Sequence, residues 1–97
     1  MATFIVLGNF TEQGIRTIKE SPKRSDAFKA LAAKAGVKVK EIYWTQGRYD
    51  IITVIEAPDA ATATSLGLAI ASLGNVRTET LTAFSAEEFG GILGKMP

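Results

Sequence analysis

The chain contains no cysteine and no histidine. The first absence removes disulfides, thiol nucleophiles and thiolate metal ligands. The second removes imidazole ligands and every histidine-based triad or general base. No apolar stretch approaches the ~18 residues of a membrane-spanning helix, and no basic segment followed by an apolar run opens the chain. A soluble, cytoplasmic protein is expected, with no membrane partner, no metal and no cofactor. Any chemistry falls to carboxylates, Lys, Arg, Tyr, Ser, Thr and the backbone.

At 97 residues the chain has room for one domain, residues 1–97. A fold this small buries a modest share of its surface, yet 46% of the residues are hydrophobic. That surplus points to a second buried surface supplied by another chain. The net charge of +1 is unevenly spread. Residues 16–40 carry Arg16, Lys19, Lys23, Arg24, Lys29, Lys34, Lys38 and Lys40 against only Glu20 and Asp26, and the remainder is acidic. No aromatic side chain interleaves with the basic cluster except Phe28, which helical spacing assigns to the core. The cluster therefore reads as a solvated helix face, and no nucleic-acid partner is expected.

Along the chain, "ATFIVLGNF" suits a central strand over 2–10. A short helical segment follows over 12–19, weakened by Gly14. Ser21-Pro22 reads as an N-cap with proline at the first helical position. A helix over 22–35 carries Phe28, Leu31, Ala32 and Ala35 on one face, stopped by Gly36. Strands over 37–46 and 49–57 flank Gly47-Arg48, where glycine suits a two-residue type II′ hairpin turn. Asp59 caps a helix over 60–73 with Ala63, Leu66, Ile70 and Leu73 on one stripe. A strand over 75–84 and a helix over 86–94 complete the order. Ser85 and Glu88 make a capping box there, with Phe84 and Phe89 placed as a hydrophobic staple.

The order β-α-β-β-α-β describes an α+β, ferredoxin-like sandwich, a four-stranded antiparallel sheet with helices on one face. Register through the Gly47-Arg48 turn puts Ile42, Trp44, Tyr49, Ile51 and Ile55 on one face. Val37, Val39, Tyr43, Ile52 and Val54 fall on the other. Two helices cover only one of these faces, so the second should be buried by sheet-to-sheet dimerisation.

The element Gly47-Arg48-Tyr49-Asp50 resembles the signature of the GYD-domain family of small bacterial and archaeal proteins. "TEQGIRTIKESPKR", "GRYDIITVIEAPD" and "SLGNVRTETLTAFS" carry the likeness along nearly the whole chain. The resemblance implies a prokaryotic dimeric α/β-barrel, two ferredoxin-like sheets face to face, and no particular activity. A second likeness, to the effector-binding domain of leucine- and asparagine-responsive transcription regulators, implies ligand binding at subunit interfaces around Gly47, Tyr49 and Asp50. It comes without their helix-turn-helix region.

Candidate ligand-binding or interface residues are Tyr43, Trp44, Gly47, Arg48, Tyr49 and Asp50, an aromatic cluster around the hairpin. Trp44 and Tyr43 could line a pocket for a small organic ligand or simply pack in core and interface. Asp50 suits a base, or an acceptor of backbone N–H groups, or a partner for Arg48, Arg16 or Arg77. Asp50 and Glu56 lie about 20 Å apart along one strand, too far to divide acid and base roles. The expectation is an oligomeric small-molecule-binding or accessory protein with its site at the sheet or subunit interface. The alternative is a cofactor-free monooxygenase- or isomerase-like enzyme acting on a small aromatic substrate.

Overall fold

β-branched and aromatic residues at alternate positions build four strands, β1 (Ala2–Phe10), β2 (Lys38–Trp44), β3 (Ile51–Ala57) and β4 (Val76–Ala83). The computed structural model describes residues 1–97. It joins the strands into one antiparallel sheet ordered β2-β3-β1-β4. The connections are α1 (Glu12–Arg16), a 3-10 turn (Ile18–Glu20), α2 (Ser21–Lys34) and α3 (Ala60–Ala71), and α4 (Ala86–Leu93) follows β4. This is the ferredoxin-like α+β sandwich, and each predicted element lies within a few residues of its expected place.

Helix ends follow their local chemistry. Asp59 accepts from the Thr62 N–H at 2.8 Å and starts α3, and that bond holds its carboxyl below the usual range. Ser85 and Glu88 exchange bonds as a capping box on α4. Ser21 departs from expectation. It is the first residue of α2 rather than its cap, Glu20 precedes it with no side-chain cap bond, and the Ser21 hydroxyl is turned into the interior.

The core lies between the sheet and α2 and α3. Its seven buried hydrophobic residues are Phe4, Ala32, Val37, Ile55, Ala57, Ala63 and Leu66. Val37 and Val39 belong to this helix-covered face, not to the opposite face predicted for them. The ladder shifts between Val39 and Glu41, and this β-bulge at Lys40 inverts the alternation of everything before it. Val39 pairs with the buried Ile55, while Glu41 pairs with Val54 on the other side.

A second correction concerns the hairpin. The register Trp44 opposite Ile51 is as expected, but the strands stop there, and residues 45–50 form a loop instead of a two-residue turn. The Thr45 N–H donates to the Asp50 carbonyl at 2.8 Å, and the Thr45 hydroxyl donates to the Tyr49 carbonyl. Gly47 sits at φ 125° with open space around it. Positive φ is thus the reason for glycine there.

α4 stands apart. None of its residues is buried, and the molecule is 50 Å along its longest axis. Its radius of gyration is 14.5 Å, against roughly 12–13 Å for a compact chain of this length.

Candidate functional site

Two apolar features remain once the core is filled, one on each side of the sheet. Pairing defines the open face. Tyr43, Ile52, Leu7 and Glu79 form one cross-strand row, and Glu41, Val54, Ile5 and Leu81 form the next. Its centre is aliphatic and its edges are charged. Lys40 lies 3.8 Å from Glu56, and the Tyr43 hydroxyl donates to Glu41 at 3.0 Å. That bond and the carboxylate's charge raise the Tyr43 pKa above the usual phenol value.

The second feature is a cavity of about 370 Å³ between the other face and the helices. Ile42, Trp44, Ile51, Thr53, Val6 and Gly8 make its floor, and Phe28 and Leu31 of α2 with Leu66 and Ile70 of α3 make its roof. Its polar lining residues are Ser21, Arg24 and Ser25 at the start of α2, Thr53 on β3, Asn75 after α3 and Thr78 on β4. Ser21, Arg24, Ser25 and Phe28 recur at helical spacing and all line it. The Trp44 indole N–H donates to Ser21 Oγ at 2.9 Å, tying β2 to the start of α2. Arg24 is the only charged residue in the lining. Its guanidinium reaches the Thr17 carbonyl and hydroxyl at 3.0 Å and the Gly14 carbonyl at 3.2 Å. Neither ion pair of the structure includes it.

The six residues picked from sequence are divided between these features. Trp44 alone lines the cavity. Tyr43 stands on the open face beside Glu41. Tyr49 does not share the face of Trp44 and Ile51, as strand alternation predicted. Its hydroxyl donates to Glu79 at 3.2 Å, and Glu79 pairs with Leu7 on the open side. Alternation fails because residues 45–50 are loop. Arg48 stacks over the Tyr49 ring, 5.7 Å from its centroid.

Asp50 fastens the loop to β1. Its N–H donates to the Gly8 carbonyl at 2.9 Å, and the Phe10 N–H donates to its Oδ2 at 2.9 Å. Of the arginines considered as its partners, Arg16 pairs with Glu12 at 2.6 Å and Arg48 with Tyr49. Asp50→Ala leaves the Phe10 N–H without its acceptor and is expected to lose about 1–3 kcal/mol in urea denaturation. Asp50→Asn keeps an oxygen in place and is expected to lose under about 1 kcal/mol. Equal losses would show that charge, not the acceptor, matters.

Sequence reasoning missed the cavity. Its signals were present: Ser21, Arg24 and Ser25 sharing the inner face of α2, and Thr53 between the aliphatic Ile51 and Ile55 on the same face of β3. Helical spacing alone does not distinguish a helix that seals the sheet from one that stands off it.

A four-stranded sheet with helices on one side, a free apolar face on the other and a cavity under the helices defines a small ferredoxin-like α+β protein with two surfaces to offer. The GYD domain model matches residues 4–93, and the chain belongs to that family. A Thermus thermophilus protein described as a glutamine synthetase and cystathionine beta-lyase binding protein is 42% identical over 84 residues, covering 86% of this chain and 88% of that protein. The crystal structure of a Thermus thermophilus protein superposes with a TM-score of 0.63 at 28% identity, over 89% of this chain and 96% of its own. A hypothetical protein from Pyrococcus horikoshii shares the fold, with a TM-score of 0.56 at 22% identity over 88% and 92%.

Proposed function

We propose that this protein is a self-associating accessory module that binds a metabolic enzyme, with glutamine synthetase or cystathionine beta-lyase as the partner class. The observation that carries self-association is the open face. Ile5, Leu7, Ile52, Val54 and Leu81 form a continuous aliphatic strip that no element of the chain covers, and monomers seldom leave such a strip to water. Two copies stacked through this face give the dimeric α/β-barrel, with the charged edges at its rim. A stable contact of this kind buries upward of about 1,200 Å² in total.

The relative's name supplies the class of partner. On this reading the chain works in the cytoplasm beside the enzymes it binds. The test is co-elution of the purified protein with the host's own glutamine synthetase and cystathionine beta-lyase, followed by titration calorimetry. A complex with either enzyme is expected. If both enzymes elute unaccompanied across a tenfold range of salt, the proposal fails.

A further inference from the structure

We infer that the cavity beneath α2 and α3 is a binding site for a small carboxylic acid with an apolar body. This goes beyond the accessory role and rests on the opposite side of the sheet from the proposed dimer contact.

The volume, about 370 Å³, falls in the range of small-molecule sites. Its walls are largely aliphatic and aromatic, which suits an apolar body. Three features fix the character of the head group. First, no aspartate or glutamate lines the cavity, whereas Arg24 does, so its field favours an anion. Second, the Arg24 guanidinium is held in place by the Thr17 and Gly14 oxygens through three of its five N–H groups. The other two, on Nη2 and Nε, have no protein acceptor, which leaves an oriented donor pair without the carboxylate that usually accompanies it. Third, Thr53 is only 7% exposed and lines the cavity floor, and since no buried side-chain oxygen of the structure lacks a partner, its hydroxyl is reached from the cavity and not sealed in. It is thus free to bond a head group that enters.

Arg24 and Thr53 line the same cavity, one from α2 and one from β3. Thr53 pairs with Ile42, two residues before Trp44, and Trp44 is bonded to Ser21 at the start of the turn that carries Arg24. An acid entering there would place its carboxylate between Arg24 and the Thr53 hydroxyl and its body among Phe28, Leu66, Ile70 and Ile51. Small residues leave the room. Gly8 on the floor and Gly67 on the roof contribute no side chain where strand and helix face each other.

Titration calorimetry with octanoate and with 3-phenylpropanoate tests this, one probe for an acyl chain and one for an aromatic acid. Octan-1-ol and octylamine match the first in shape without its charge. Saturable binding of at least one acid is expected, with the alcohol and the amine about tenfold weaker or more, equivalent to at least one hydrogen-bonded charge. Thr53→Val preserves the shape and removes the hydroxyl. It is expected to weaken the acid about fivefold or more while leaving the ligand-free melting temperature level or higher, since no internal bond is lost. Arg24→Gln is expected to weaken it further. Octan-1-ol binding as tightly as octanoate, an unchanged affinity in a folded Thr53→Val protein, or no binding of either acid up to about 10 mM overturns the assignment. Oligomeric size should not respond to Thr53→Val, which separates this outcome from failure of the sheet-face contact.

Discussion

Gly14→Ala is expected to lower the stability of this protein by about 3 kcal/mol, seen as a fall in melting temperature of roughly 12–24 °C. Gly14 lies buried in α1, where the helix passes across the turn after α3. A Cβ built there would stand 2.0 Å from the Asn75 carbonyl oxygen and 2.9 Å from its carbon. Both are backbone atoms, and neither is free to yield. The Thr11 N–H donates to that same carbonyl at 3.0 Å, the Thr11 hydroxyl donates to the Gly74 carbonyl, and Gln13 donates to the Leu73 carbonyl at 3.1 Å. With the bond from Gln13 to Asn75 Oδ1 at 3.0 Å, making room for one methyl group therefore means parting a four-bond clasp. Gly90→Ala is the matched control, because it lies in α4 with nothing within 4 Å and alanine favours helix. Thermal denaturation followed by circular dichroism checks the pair. A fall for Gly14→Ala no larger than that of the control would mean that the clasp opens freely.

Ile52→Asp is expected to have the largest effect on assembly. Ile52 sits in the middle of the open face, between Tyr43 on one neighbouring strand and Leu7 on the other. In a sheet-to-sheet dimer its side chain loses all water, and a carboxylate there has no basic partner on its own row. The penalty of several kcal/mol for a buried unpaired charge corresponds to a dissociation constant raised about a thousandfold. In the monomer the same side chain faces solvent, so the fold should persist. Light scattering at micromolar concentration should show a wild-type dimer and a folded Ile52→Asp monomer. A wild-type protein that scatters as 10.3 kDa, or a variant that remains dimeric, rules out this face as the contact.

Much of the fold was legible because its signals are local. Asp59 and Ser85 announced the starts of α3 and α4 with side chains that reach their own backbone. Gly36 and Gly74 marked the turns after α2 and α3 with positive φ. Strand register across the hairpin also followed, since Trp44 opposite Ile51 depends only on counting. What failed was alternation past a discontinuity. Val37 and Val39 changed faces because one extra residue at Lys40 enters the ladder, and nothing in a lysine announces a bulge. Tyr49 changed faces because Asp50, by accepting from Phe10, ends the ladder early. Ser21 looked like a cap and became the partner of Trp44, a residue 23 positions away. The cavity was hidden for a related reason. A stripe of Phe28, Leu31, Ile70 and Leu73 looks the same whether it touches the sheet or stands off from it.

The protruding last helix has a consequence for the life of the chain as a polymer. Eight residues form too short a helix to hold itself together in water, and α4 has no buried residue to anchor it. Every residue of the core cluster comes before it, the last being Leu66. A protease acting on the isolated subunit would thus meet an easily opened tail beyond β4 and, having removed it, face an intact body. α4 is a segment whose loss does not register in the core, and whose order must be borrowed from whatever lies beside it.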